Sequence, residues 1–247
     1  AYMAGKWHSS DLLAAMRLLV SNRKVMDGLE TGMARLGSTL LRLAHWQHRN
    51  TRTGSRRNIH AHYDLGDALF SLFLDPSMMY SAAVFPHAEA TLEEASRHKL
   101  DLICRKLELQ PDDHLLEIGT GWGGLAIHAA RHYGCRVTTT TISENQFSYA
   151  QRRVLEAGLA DRITVLSQDY RDLQGHYDKL VSVEMIEAVG HGFMDQYFRI
   201  CSERLKPAGR MLLQSITIAD RYHEQAMHAV DFIQKYIFPG GALPSIS

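Results

Sequence analysis

Several things are scarce in this 247-residue chain. It has three cysteines, Cys104, Cys135 and Cys201, with no CxxC or other paired spacing. That argues against a disulfide framework and points to free thiols in a reducing compartment. Charge of one sign is missing too: 27 Lys and Arg balance 27 Asp and Glu. No global basic signature for nucleic acid is therefore present, and no nucleic-acid partner is expected. No apolar run approaches the roughly 20 residues of a membrane span. The opening "AYMAGKWHSSDL" does not read as a signal peptide. Internal repeats and low-complexity tracts are absent. These gaps together lead to the expectation of a cytoplasmic protein whose membrane contact would be peripheral.

What is present is ordinary for a globular protein: 45% hydrophobic and 22% charged residues. The length suits one sizeable domain with an extra arm, or two small ones. Residues 10 to 48 read as helical. "SSDLLAAMRLLVSNRKVM" opens on a Ser/Asp cap, and "GMARLGSTLLRLAHWQ" is a second amphipathic stretch. "HRNTRTGSRRNIHAHYD" then reads as a polar, basic linker carrying Arg49, Arg52, Arg56 and Arg57. His60 and His62 form an HxH there. With no Cys or carboxylate at ligand spacing, no metal site is expected.

From about residue 113 strands and helices alternate. The strands are "HLLEIG", "RVTTTTI", "ITVLSQD", "KLVSVEM" and "RMLLQSITI"; the helices are "GLAIHAARHY", "ENQFSYAQRRVLEAG" and "MDQYFRICSERL". Strict alternation predicts βαβ units and a mostly parallel sheet with helices on both faces. "TLEEASRHKLDLICRKL" has Thr91 and Glu94 at capping-box spacing and reads as the helix leading into the first strand. The tail from Asp220 reads as helix and loop.

The most informative stretch is "DHLLEIGTGWGGLAIHAA", Asp113 to Ala130. Gly119, Gly121 and Gly124 satisfy GxGxxG, a weak pattern alone. No Lys-Ser/Thr pair follows, so this is not a Walker loop. A dinucleotide site wants a carboxylate at the tip of the second strand; here Thr141 and Ser143 stand there, with Glu144 close by. Glu117 precedes the first glycine by two residues and would repel a diphosphate. It would attract a ligand carrying an ammonium and a sulfonium. The turn therefore points to S-adenosyl-L-methionine at the carboxyl ends of the strands. The competing reading is that the glycines only permit tight strand–helix packing.

Several longer motifs carry a resemblance. "HYDLGDALFSLFLDPSMMYSAAVF" (His62 to Phe85), "LLEIGTGWGG", "TTTISENQ", "YDKLVSVEMIEAVGH" and "FIQKYIFPGGALPS" resemble the cyclopropane fatty acid synthase family, which includes the mycolic acid methyltransferases. The likeness runs from about Asn58 to the C-terminus. "AYMAGKW" is weakly similar to the N-terminal domain of bacterial phospholipid-acting members. The resemblance implies a class I S-adenosylmethionine-dependent methyltransferase domain over 58–247, after a helical region and basic linker over 1–57. The family's sheet has strand order 3-2-1-4-5-7-6 with one antiparallel member. Only five strands are readable here, so the last two are expected to be missing. The bare strand edge would then invite another chain, such as a second copy in a homo-oligomer.

The resemblance also implies chemistry. A methyl group goes to a carbon of a cis double bond in an acyl chain of an unsaturated phospholipid, at the inner membrane surface. The resulting cation loses a proton to bound bicarbonate and a ring closes. Tyr80 and Ser81 would contact the methionine part of the cofactor, with Gly119 and Gly121 flanking it and Glu117 nearby. Thr141 and Gln146 would hold the adenosine and ribose, and Asp169 and Tyr170 would lie near the adenine. Glu187 would help hold bicarbonate, in a pocket shared with Ala82, Gln214 and Ile216. Two of these depart from the family: Ala82 stands for a cysteine and Gln214 for a histidine. An amide can hydrogen-bond an anion but cannot shuttle a proton, so weak bicarbonate binding and a methyl-branched or methylene product become an alternative. Glu184 stays unassigned. Aromatic and Met side chains at Phe70, Phe73, Met78, Met79, Tyr80 and Phe85 could line an acyl tunnel. Packing is the default for Phe70 and Phe73, while Tyr80 is favoured for function. An amine methyltransferase and a silent lipid-binding scaffold are the rival readings, and the basic linker could meet anionic headgroups.

Overall fold

The structure is a computed structural model. It describes residues 2, 5–22, 50–52, 54–55, 58–59, 67–228, 230 and 232–246. The second N-terminal amphipathic stretch, the HxH pair, and Arg49, Arg56 and Arg57 lie outside the described residues. The chain divides into two compact units, 1–44 and 45–247. In the first, α1 (Leu12–Ser21) starts at Asp11, whose carboxylate accepts from the Ala14 N–H at 2.8 Å. That is the acidic cap its sequence predicts.

In the second unit α2 (Leu92–Leu107) precedes β1 (His114–Ile118), and the expected capping box of Thr91 and Glu94 is made. Then follow α3 (Gly124–Tyr133), β2 (Arg136–Thr141), α4 (Glu144–Glu156), β3 (Ile163–Ser167), β4 (Tyr177–Val183), α5 (Met194–Arg204) and β5 (Leu205–Gln214). All pairings are parallel and the order is β3-β2-β1-β4-β5. Among the described residues nothing pairs with the outer edge of β5.

The side-chain alternation of β1 sets the layers. Leu115 packs with Leu100, Ile103, Leu125 and Val137, on the side of α2 and α3. Leu116 and Ile118 pack with Tyr197 and Cys201 of α5 on the opposite side. Period-two alternation sends Glu117 to the face of Leu115. A carboxylate is thus built into a core face, and this decides its electrostatics. β2 is a run of threonines whose hydroxyls find partners inside the sheet layer: Thr139 Oγ1 donates to Thr120 Oγ1 at 2.7 Å and Thr140 Oγ1 to the Gln168 carbonyl at 2.5 Å.

Two expectations change. The fifth strand was expected over 210–218; it starts at Leu205 and ends at Gln214. Its start is irregular, because Tyr177 pairs with Leu205 whereas Lys179 pairs with Arg210. Ala208, at φ 64°, lies in the intervening bulge. Its end has a chemical cause: the Ile216 N–H goes to the Glu187 carboxylate, and the Ile218 N–H to the Pro244 carbonyl. The stretch expected as a linker is partly packed. Asn50, Ser55 and Asn58 are buried, with Asn50 Nδ2 donating to the Gly240 carbonyl at 2.8 Å. Arg52 pairs with Asp172 at the surface. The tail forms α6 (Asp220–His228), a wide helical turn at Ile233–Ile237, and a return segment whose Ala242 N–H donates to the Glu187 carbonyl at 2.8 Å.

Candidate active site

The carboxyl ends of β1 and β2 form one wall of a cleft. Glu117 is only 4% exposed, and its Oε2 has no hydrogen-bond partner. Burial pushes its carboxyl up to about 8, with a Thr139 hydrogen bond pulling slightly the other way. Gly119 and Thr120 donate to the Thr140 carbonyl, so the turn is tied to β2. Gly121 has φ +51°, and a Cβ there would enter open space. The turn thus leaves room against its backbone. Thr141 Oγ1 donates to Gln146 Oε1 at 3.1 Å, which fixes the amide and leaves Gln146 Nε2 buried without a partner. An unmet buried acceptor, an unmet buried donor and an open backbone turn suit a ligand with an ammonium and ribose hydroxyls. These residues fit S-adenosylmethionine.

Asp169 and Tyr170 follow β3, beside Thr141. Both Asp169 oxygens are taken by Arg171, from Nε at 2.8 Å and Nη2 at 2.7 Å. Burial raises the Asp169 carboxyl, but the Arg171 bonds and charge outweigh it and hold it below its ordinary value. Arg171 continues to the Asn50 carbonyl and the Ser55 hydroxyl. Asp169 is thus a brace for the segment around Asn50, as well as a neighbour of the cleft.

The second wall comes from the segment before α2 and from the ends of β4 and β5. Tyr80 is 43% exposed and meets Phe70 edge-on, with ring centroids 5.0 Å apart. Phe70 also packs on Trp122 at 4.9 Å and is buried. Phe73, expected in the core, is 53% exposed, and Phe85 is exposed as well. Phe73 falls just after the short helical turn Asp67–Phe70, whose one buried residue is Phe70. Met78 is buried at φ 57°. Glu184, at φ 49°, accepts through Oε1 from the Ala82 N–H at 3.0 Å and from Gln214 Nε2 at 2.8 Å. Gln214 Nε2 also reaches the Ala82 carbonyl at 3.2 Å. Glu187 accepts through Oε1 from Ser215 Oγ at 3.0 Å and the Ile216 N–H at 2.5 Å, while its Oε2 is buried without a partner. Burial raises the Glu187 carboxyl; the Ile216 and Ser215 bonds oppose this and the Glu184 charge adds to it.

The structure thus brings Ala82, Gln214, Glu187 and Ile216 into one neighbourhood. It also supplies what residue-by-residue reading missed. Glu184, noted at the end of the fourth strand but given no role there, is central. Lys99 is 1% exposed, and its Nζ donates to Ser81 Oγ at 2.6 Å and the Ser81 carbonyl at 3.2 Å. Burial pulls its ammonium down to about 8, against the charges of Glu184 and Asp75. A signal existed: Lys99 interrupts the buried stripe Ala95, Leu100, Ile103 and Leu107 of α2. Arg153 of α4 clamps the two walls, with Nη1 on the Ser77 and Trp122 carbonyls at 2.9 and 3.0 Å and Nη2 on the Pro76 carbonyl at 3.1 Å. Gly124 permits this closeness, since a Cβ there would sit 2.7 Å from the Ser77 carbonyl. Among the described residues no group of acids, histidines and cysteines could hold a metal ion, and no helix is long and apolar enough to cross a membrane.

A parallel β3-β2-β1-β4-β5 sheet with a glycine turn after β1 and an acid at its tip defines the class I S-adenosylmethionine-dependent methyltransferase fold. Within that class, the chain belongs to the mycolic acid cyclopropane synthetase family, whose model matches residues 50–247. It is 41% identical over 249 residues to the cyclopropane-fatty-acyl-phospholipid synthase of Escherichia coli strain K12, covering 100% of this chain and 61% of that protein. It is 38% identical over 252 residues to the tuberculostearic acid methyltransferase UfaA1 of Mycobacterium tuberculosis, covering 99% of this chain and 58% of that protein. The chain therefore spans about three-fifths of the length of these relatives. Among solved structures, the mycolic acid cyclopropane synthase CmaA1 with SAH and CTAB superposes with a TM-score of 0.71 at 38% identity, covering 77% of this chain and 70% of that one.

Proposed function

We propose that this chain is the S-adenosylmethionine-dependent C-methyltransferase part of an enzyme acting on the cis double bond of unsaturated phospholipid acyl chains. The observation that carries this reading is the second wall: half-exposed Tyr80 in an aromatic cluster, close to Glu184, which in turn is held by Gln214. An alkene needs no base to begin reacting, only a methyl donor held close in a dry, apolar setting. S-adenosylmethionine supplies that electrophilic methyl. Glu117 would face its ammonium, Gly119 and Gly121 would flank the methionine part, and Tyr80 and Ser81 would close over it. Thr141 and Gln146 would take the ribose and adenosine, with Asp169 and Tyr170 at the adenine. Phe73, Phe85 and Leu72 present apolar surface suited to an acyl chain. That surface supports work at a membrane face, which we place at the inner, cytoplasmic side.

A second reading concerns the product. The Ala82 N–H and the Gln214 amide, both expected to serve bicarbonate, are bonded to Glu184 instead. This favours a product other than the one bicarbonate-assisted ring closure gives, and an exo-methylene chain is the alternative. The test is incubation with vesicles of unsaturated phospholipid and a trideuteriomethyl donor, followed by mass spectrometry of the acyl chains. A gain of one methylene carrying two deuteriums supports C-methylation, and fragmentation separates ring from methylene. No labelled lipid, with binding of the donor intact, would favour the silent scaffold.

A further inference from the structure

Glu184 combines three features that packing does not require. It is a non-glycine residue in left-handed backbone, a strained conformation kept where surrounding structure enforces it. Its Oε1 is held by donors from two separate segments, the Ala82 N–H before α2 and the Gln214 amide on β5. Both bonds fall on one oxygen, and among the described residues none donates to Oε2. The side chain is half-buried at the tip of β4, close enough to Tyr80, Lys99 and Glu187 to shift each of them.

The other acid of this wall does not compete. Glu187 Oε1 is taken by Ser215 and Ile216, its Oε2 is enclosed, and burial biases it toward the neutral form. Gln214 has no basic atom and Tyr80 is pushed further toward its neutral phenol.

We propose that Glu184 is the proton acceptor of the reaction, a carboxylate supplied by the chain itself in place of a dissolved base. The inference rests on the C-methylation reading above. In the step, the alkene's π pair forms the new carbon–carbon bond to the sulfonium methyl, and the old carbon–sulfur pair leaves with sulfur. The positive charge falls on the neighbouring carbon. A methyl C–H bond then breaks, its proton going to Glu184. Its electron pair closes the third side of a ring, or, after a hydride shift, forms an exo-methylene double bond. Both outcomes balance without a reductant, whereas a saturated methyl branch would need one.

The test uses the purified chain with unsaturated phospholipid vesicles, in buffer freed of carbon dioxide and in buffer with added bicarbonate. Glu184→Gln keeps an oxygen acceptor for Ala82 and Gln214 but removes the base. Glu184→Gly relieves the backbone and opens the space. Native turnover should change less than about twofold between the two buffers. Glu184→Gln should fall about 100-fold, the usual scale of general base catalysis, with donor affinity by calorimetry within about threefold. Glu184→Gly should be inactive without bicarbonate and regain turnover with it. Bicarbonate dependence of the native chain, or Glu184→Gln within about threefold of native turnover, would overturn the assignment. Failure of the native chain to label lipid in either buffer would instead overturn the C-methylation reading, and the assignment with it.

Discussion

The two walls of the cleft are built differently. The β1–β2 wall stands on the sheet: Glu117, Thr141 and Gln146 are buried, and the glycine turn is tied by backbone bonds to Thr140. The Tyr80–Glu184–Gln214 wall stands on the last residue of β5, the turn after β4 and the irregular segment before α2, and Tyr80 and Ile216 are exposed. On the proposed reading, the first wall recognises the methyl donor, and the second holds the acids and the amide that act on the substrate. Substitution in the first should act on binding and stability together; substitution of Glu184 or Gln214 in the second should act on turnover and product with donor binding kept.

The largest expected effect is on stability. Asp169→Ala leaves buried Arg171 without its carboxylate and should cost about 3–5 kcal/mol in urea denaturation, as broken buried ion pairs do. A loss below about 1 kcal/mol would show that this end of the sheet is not braced as described. Next is Gly121→Val, which sends a branched side chain into the open space of the turn and strains a φ of +51°. Calorimetry should show donor affinity at least about 30-fold weaker, roughly 2 kcal/mol, in a protein that still folds.

Glu117 gives a smaller, pH-dependent effect. Its folded carboxyl lies near 8 against an ordinary 4.5, so the folded chain holds that proton more tightly than the unfolded one. The stability it contributes is complete below about pH 4.5 and is lost as pH rises through about 8. Glu117→Gln should therefore gain melting temperature relative to the native chain from about pH 6 to about pH 9. Binding of a cationic ligand must drive the proton off. Native affinity should thus rise toward pH 8, and calorimetry in buffers of different ionisation enthalpy should report proton release near neutrality. No release would remove Glu117 from the ligand's ammonium.

The smallest effect tests the second wall. Gln214→His should change stability by less than about 1 kcal/mol and leave donor affinity within about twofold, since the Gln214 amide bonds to Ala82 and Glu184 and not to the glycine turn. The ratio of cyclopropane to methylene product should nevertheless shift toward the ring, with a new dependence on bicarbonate. The contrast between the walls fails if this variant weakens donor binding as much as Gly121→Val.

Legibility followed the same division. The β1 turn, the threonine tip of β2 and the capping box of α2 were readable because each is a local pattern with a fixed structural meaning. The end of β5 was not, since it depends on Glu187 capturing the Ile216 amide across 29 residues of chain. Glu184 was noted but left without a role for a similar reason: its partners are 102 and 30 residues away, and a positive φ at a glutamate has no sequence signature. Phe73 was misplaced because the turn at Asp67–Phe70 is too short to show a periodicity. Lys99 could have been found, as a cation on an apolar stripe.

The Arg153 clamp bears on traffic. The segment from Pro76 to Ala82 has no regular structure and would pass for a lid, yet one guanidinium holds it at two carbonyls and the glycine turn at a third. Swinging it away breaks the two charge-assisted bonds to Pro76 and Ser77 together, each worth about 1.5–3 kcal/mol. The swung-out form would then be populated on the order of one molecule in a hundred to one in ten thousand. The Pro76–Ala82 flank therefore belongs to the fixed frame of the site and is not a freely swinging flap.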